Sequence, residues 1–181
     1  MRRGLWPDAG KAPLIVLGID PGSRVTGFGL IREMSGSLSL VEAGVIRTGT
    51  DADMDVRLGE IFLRLSEIIA LHRPAQSAIE SIFQALNPSS ALKLGQARGV
   101  AIAACAQGRV PVFSYAPTMV KKSIVGVGRA EKTQVAFMTA RLLGVKKPDW
   151  ALDASDALAV AICHVNQQRF LRLANCSRTG S

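Results

Sequence analysis

Aromatic side chains are scarce in this chain. Six Phe, two Trp and one Tyr are 5% of its 181 residues, so Ala, Val, Ile and Leu must fill any core. Cysteine is scarcer: Cys105, Cys163 and Cys176 are an odd number with no CxxC spacing, and His72 and His164 are the only histidines. That supply argues against a zinc site and leaves reduced thiols of a cytoplasmic protein as the expectation. Long apolar runs are missing too. Leu14 to Ile19 is far too short to span a bilayer, and Pro7, Asp8 and Lys11 interrupt any export signal behind Arg2 and Arg3. No membrane partner is therefore expected. Acids are the minority, 14 against 22 Lys and Arg, for a formal charge of +8. An excess of that size points to a polyanionic partner, nucleic acid before anionic membrane.

What remains reads as one domain of 13–170, between an N-terminal extension expected to be disordered (1–12) and a flexible tail (171–181). Leu14 to Ile19 predicts a buried strand stopped by Asp20-Pro21-Gly22. Gly27 to Ile31 and Leu38 to Arg47 predict two more strands, with a turn near Gly36, making an antiparallel meander. The apolar period then lengthens. Val56, Ile61, Leu65, Ile68 and Ile69 fit a helix from about Asp53 to Leu71. A short strand, Gln76 to Ile79, runs into Glu80. A long helix rich in Ala and Gly follows Asn87-Pro88 and ends near Gln107, at Gly108. Val110 to Tyr115 predicts a strand. Helices are expected from Thr118 to Val125, from Glu131 to Leu143, and from Asp153 to about Phe170. The order βββαβαβααα describes an α/β fold, a mixed sheet with helices on its faces.

Four acids stand out by position. Asp20 and Glu80 each end an apolar strand, where open α/β sheets carry their sites. Asp153 and Asp156 are three apart on a helix and share a face. Each has an ordinary alternative: an Asx turn for Asp20, an Arg partner for Glu80, a helix-dipole role for Asp153, a solvated surface for Asp156. As a set they gain a different reading. Asp156 leads into the apolar run Ala157 to Ile162, where an unpaired charge is costly. A divalent cation pairs several carboxylates at once, and an all-oxygen set selects Mg²⁺ or Mn²⁺. Two such ions can activate water and stabilise the leaving oxygen of a phosphodiester, while the basic remainder of the chain holds DNA.

The segment Gly18-Ile19-Asp20-Pro21-Gly22-Ser23-Arg24-Val25-Thr26-Gly27 resembles the opening motif of the RuvC family of bacterial Holliday junction resolvases. Ala78-Ile79-Glu80 with Phe83, the helix from Ser90 to Val100, and Asp153-Ala154-Ser155-Asp156-Ala157-Leu158-Ala159 resemble its later motifs, in order, across roughly 14–168. The resemblance implies a ribonuclease H-like fold with a five-stranded mixed sheet. It implies a homodimer that nicks a four-way DNA junction symmetrically, near paired thymines, leaving 5′-phosphate and 3′-hydroxyl ends. It implies work beside the RuvA–RuvB branch-migration complex in recombination and repair.

Residue by residue, it makes Asp20, Glu80, Asp153 and Asp156 the ligands of two Mg²⁺, with Mn²⁺ as the alternative. Lys121 and Lys132 become the basic residues near the cut phosphate, and Phe83 a wedge or stacking platform at the crossover. Lys122 and Arg129 are expected to add phosphate contacts. Ribonuclease H-like nucleases with other substrates, and a junction binder without activity, are the rival readings.

Overall fold

The computed structural model describes residues 13–81 and 87–176. Its elements follow the expected order: β1 (Leu14–Asp20), β2 (Val25–Met34), β3 (Ser37–Arg47), α1 (Met54–His72), β4 (Gln76–Glu80), α2 (Pro88–Gln107), β5 (Val112–Tyr115), α3 (Pro117–Val125), α4 (Lys132–Leu142) and α5 (Leu152–Cys176). The strands form one sheet in the order β3-β2-β1-β4-β5. The β1–β2 and β2–β3 pairs are antiparallel, and β1–β4 and β4–β5 are parallel. The sheet is therefore the mixed, five-stranded one that the sequence motifs imply. Ser35 and Gly36, with φ of 50° and 90°, turn β2 into β3 in the left-handed backbone that tight hairpins require.

β1 lies at the centre and is covered on both sides, which is why it reads as an unbroken apolar run. Leu17 and Ile19 face a core shared with Ile61, Leu65 and Ile69 of α1 and with Ala97, Ala101 and Ala104 of α2. Leu14 and Val16 face a second core shared with Leu158, Ile162 and Val165 of α5 and with Val120 of α3 and Val135 of α4. The small residues of α2 thus have two destinations. Ala97, Ala101, Ala104 and Cys105 are buried against their own sheet, whereas Gly95 and Gly99 have nothing within 4 Å of the side-chain position, and Leu92 is 65% exposed.

Two details differ from the sequence reading. The buried stripe of α1 is Arg57, Ile61, Leu65 and Ile69, and Val56 is out in solvent. Arg57 can be buried because its guanidinium donates to the Ser23 carbonyl (2.7 and 3.0 Å) and to the Thr48 hydroxyl (3.2 Å), which satisfies the charge locally. The last helix passes Phe170 and runs to Cys176. The Gln, Arg, Leu and Ala residues that follow His164 are good helix formers, and no Gly or Pro stops them.

Candidate active site

Asp20 and Glu80 come together because β1 and β4 are parallel neighbours. Ile19 pairs with Ile79, so the next residue on each strand is an acid, on the same edge and the same face. The turn beyond Asp20 is held by Thr26, whose hydroxyl donates to the Gly22 carbonyl at 2.7 Å and accepts from the Gly22 amide at 3.3 Å. The loop is also anchored at Ser23 by Arg57 and Thr48. Asp20 is therefore not spent on an Asx turn. Its carboxyl sits beside that of Glu80, close enough for each to shift the other's protonation. A carboxyl pair of this kind shares a proton, since two adjacent charges repel.

The electrostatics follow from that crowding. Burial, then the charges of Glu80 and Asp156, push the Asp20 carboxyl up to about 8. Burial also raises Glu80, opposed by the Asp20 carboxyl beside it and by Lys132 and Lys121. Asp156, on the first turns of α5, is ion-paired with Lys132 at 2.9 Å. That bond raises the Lys132 ammonium above its ordinary range. Lys132 is the first residue of α4, whose N-terminus is closed by a capping box between Glu131 and Gln134. A cation there opposes the helix dipole, so it does nothing for α4 and is accounted for by the acids it faces.

Asp20, Glu80, Asp156, Lys121 and Lys132 line one open cleft of about 280 Å³, floored by Val120, Val135 and Ala159. Asp153 is one turn earlier on α5, outside that lining, yet close enough for its charge to act on Lys132. Lys122 is exposed on the outer side of α3, and Arg129 is exposed in the segment between α3 and α4; neither reaches the cleft. Phe83 lies outside the described residues. Among the described residues no three acids, histidines or cysteines are grouped tightly enough to hold an ion as they stand. Asp20 and Glu80 sit side by side, and Asp156 bonds a lysine. The donor set is nonetheless all carboxylate oxygen, and it carries more negative charge than its own lysines disperse without protonating Asp20. That is the chemistry a hard divalent cation satisfies.

The sequence reading missed Arg98. It extends from α2 to donate to the backbone carbonyl of Glu80 (3.3 Å) and to the Ser114 hydroxyl (2.7 Å). It grips the backbone of the strand end that carries the acid rather than the carboxylate itself. It also missed that Gly18 and Gly27 seat α5 on the sheet. A side chain at either would lie 2.0 Å from a backbone carbonyl of that helix, of Ala157 and of Asp153 respectively. Only the contact partners, which are far away in sequence, reveal either role.

Residues 16–164 match the family model described as crossover junction endodeoxyribonuclease RuvC. A protein of that name from Oleidesulfovibrio alaskensis is 60% identical over 161 residues, covering 89% of this chain and 96% of its own. Among solved structures, Thermus thermophilus RuvC in complex with Holliday junction substrate superposes with a TM-score of 0.82 at 32% identity, over 87% of this chain and 96% of that one. The yeast mitochondrial Holliday junction resolvase Ydc2, 14% identical over 98% of this chain and 87% of its own, shares the fold with a TM-score of 0.68. With an acid cleft at the strand ends, two lysines on its rim and a match over most of its length, the chain belongs to the crossover junction endodeoxyribonuclease RuvC family.

Proposed function

We propose that this chain resolves four-way DNA junctions by paired, cation-dependent nicks that leave 5′-phosphate and 3′-hydroxyl ends, in recombination and repair. The observation that carries this reading is the cleft in which Asp20, Glu80 and Asp156 face Lys121 and Lys132, in a chain whose fold matches a relative solved with that junction. Asp20, Glu80, Asp153 and Asp156 are the residues that would hold Mg²⁺, two ions per site, or Mn²⁺. The bound ions supply Lewis acidity toward water and the phosphodiester.

The chain's own residues do the rest. With a cation held there, the proton that burial keeps on Asp20 would pass to solvent, and the Asp20 and Glu80 carboxylates would both be free to hold it. Lys132, now paired with Asp156, would turn to a phosphate oxygen once a cation takes its place, and Lys121 would steady charge that develops there. Lys122, Arg129 and Phe83 contact DNA beyond the cleft. The outer face of α2, with Leu92, Gly95 and Gly99 open to solvent, is the surface for a second copy. A homodimer places two clefts on one junction, with the RuvA–RuvB complex as a further partner in the cytoplasm. Among the described residues no helix is long and apolar enough to cross a membrane.

A synthetic four-way junction with Mg²⁺ or Mn²⁺ tests the activity. Symmetric nicks should appear, should be competed by unlabelled junction and not by linear duplex, and should vanish in EDTA. Cleavage of linear duplex or RNA–DNA hybrid in preference to the junction would refute the substrate. Affinity should also fall by about a thousandfold between low and physiological salt if six or more phosphates are contacted; a flat response contradicts the basic-surface reading. Analytical ultracentrifugation should show a dimer that Leu92→Arg converts to monomer. A monomer before mutation, with junction present, overturns the dimer.

A further inference from the structure

We propose that Gly27 is a positioning residue for the acid set, a role that rests on reading Asp153 as a cation ligand. Gly27 stands in two relations at once. On β2 it is the register partner of Asp20, so a side chain there would stand beside the Asp20 side chain on the same face of the sheet. It is also where the first turn of α5 rests against the sheet. A Cβ on Gly27 would lie 2.0 Å from the Asp153 carbonyl oxygen, 2.6 Å from its carbon and 3.3 Å from the Ala154 nitrogen. Those are backbone atoms and cannot rotate away. Any side chain at this position must lift the first turn of α5, and with it Asp153, away from Asp20 and Glu80.

The neighbouring glycines show that this is more than general close packing. Gly18, which pairs with Gly29 across β1 and β2, meets the helix one turn further on, where a Cβ would strike the Ala157 carbonyl oxygen at 2.0 Å. Gly29 meets the Leu158 Cδ2 and Cγ at 2.6 Å and the Leu158 backbone nitrogen only at 3.0 Å, so its tightest contact is with a side chain that can take another rotamer. The three glycines thus seat α5, yet only Gly27 seats the residue that carries a carboxylate. The physical need is distance. The acids come from β1, β4 and α5, and a cation binds only when oxygens from all three reach it together.

The test compares Gly27→Ala with Gly29→Ala, reading junction cleavage, junction affinity, Mn²⁺ affinity by calorimetry and the unfolding midpoint in EDTA. Gly27→Ala should lower kcat by about 100-fold and Mn²⁺ affinity by about tenfold, while junction affinity stays within about threefold. Gly29→Ala should leave Mn²⁺ affinity within about threefold. The decisive arm is Gly27→Ala/Asp153→Glu, in which the added methylene restores reach from the lifted helix. It should recover cleavage and Mn²⁺ affinity by about tenfold over Gly27→Ala, without recovering the unfolding midpoint.

Equal loss of Mn²⁺ affinity in both glycine variants, or no recovery with the longer acid, overturns the proposal in favour of bulk packing. Should Gly27→Ala not fold, Asp153→Glu alone decides, because in the seated helix the longer side chain overshoots. It should lose cleavage by about tenfold, and full activity would overturn the proposal. Asp153→Asn runs beside these variants. If it cleaves and binds Mn²⁺ like the parent, the ligand reading fails and takes the proposal with it. If it loses both while Gly27→Ala does not, only the role of Gly27 fails.

Discussion

Asp20→Asn should abolish junction cleavage, by about a thousandfold or more, and at the same time make the cation-free protein more stable. The first effect follows from the place of Asp20 between Glu80 and Asp156. Losing one carboxylate of so small a set removes several kcal/mol of charge stabilisation at the phosphate. The second follows from the same crowding. The Asp20 carboxyl titrates at about 8 in the fold against 3.8 when free. Above pH 4 the unfolded chain has released a proton that the folded chain still holds, so folding is penalised by an amount that grows up to pH 8. Asparagine keeps a donor toward Glu80 and removes the penalty. A gain of about 2 kcal/mol is expected at pH 7 in EDTA by urea denaturation. Excess Mn²⁺ should reverse the order, since only the parent binds it fully. A destabilised Asp20→Asn protein in EDTA would contradict the acid-repulsion account.

His164 should govern the acid limb of stability, with the opposite sign. It is fully buried in α5, with the Tyr115 hydroxyl at 2.7 Å from Nδ1 and the Gln76 Oε1 at 2.7 Å from Nε2. Phe113 is packed on its ring at 4.6 Å between centroids. Burial holds the imidazole neutral and pushes it down to about 4. The unfolded chain takes up a proton near pH 6.5 and the folded chain does not. Stability from this group is therefore complete above about pH 6.5 and is lost as pH falls toward 4, by about 3 kcal/mol in all.

Asp20 works against it in the same window, because its penalty shrinks as pH falls. The parent should thus show little acid sensitivity between pH 6.5 and 4. Asp20→Asn should uncover a slope approaching about 1.4 kcal/mol per pH unit, and Asp20→Asn/His164→Gln should abolish it. Denaturation midpoints across pH 4–8 check this. An acid slope that survives replacement of His164 would assign it to other groups.

The two groups differ in how far the sequence discloses them. An acid that interrupts an apolar strand is conspicuous, so Asp20 and Glu80 could be singled out without coordinates, as could Asp153 and Asp156 by their spacing. His164 on the last helix reads from the sequence equally as a surface or a packed histidine. Its partners Gln76 and Tyr115 come from two different strands, and no local pattern links them. Arg57 shows a related failure. Its spacing with Ile61, Leu65 and Ile69 is that of a buried stripe, but its charge argues for solvent until Ser23 and Thr48 are seen to satisfy it. The overlong α5 is a matter of stop signals. Polar composition after Phe170 suggested a tail, but polarity alone does not end a helix.

By itself the sequence determined the order of elements, the mixed sheet and which acids to suspect, because strand and helix periods and turn residues are local properties of the chain. Only the tertiary structure decided which groups meet. The parallel pairing of β1 with β4 puts Asp20 against Glu80, α4 delivers Lys132 to Asp156, and the glycines under α5 let Asp153 approach the sheet. Those meetings depend on strand order and on how closely a helix can settle, which are set by the burial of two whole faces of apolar surface rather than by any neighbourhood in the sequence.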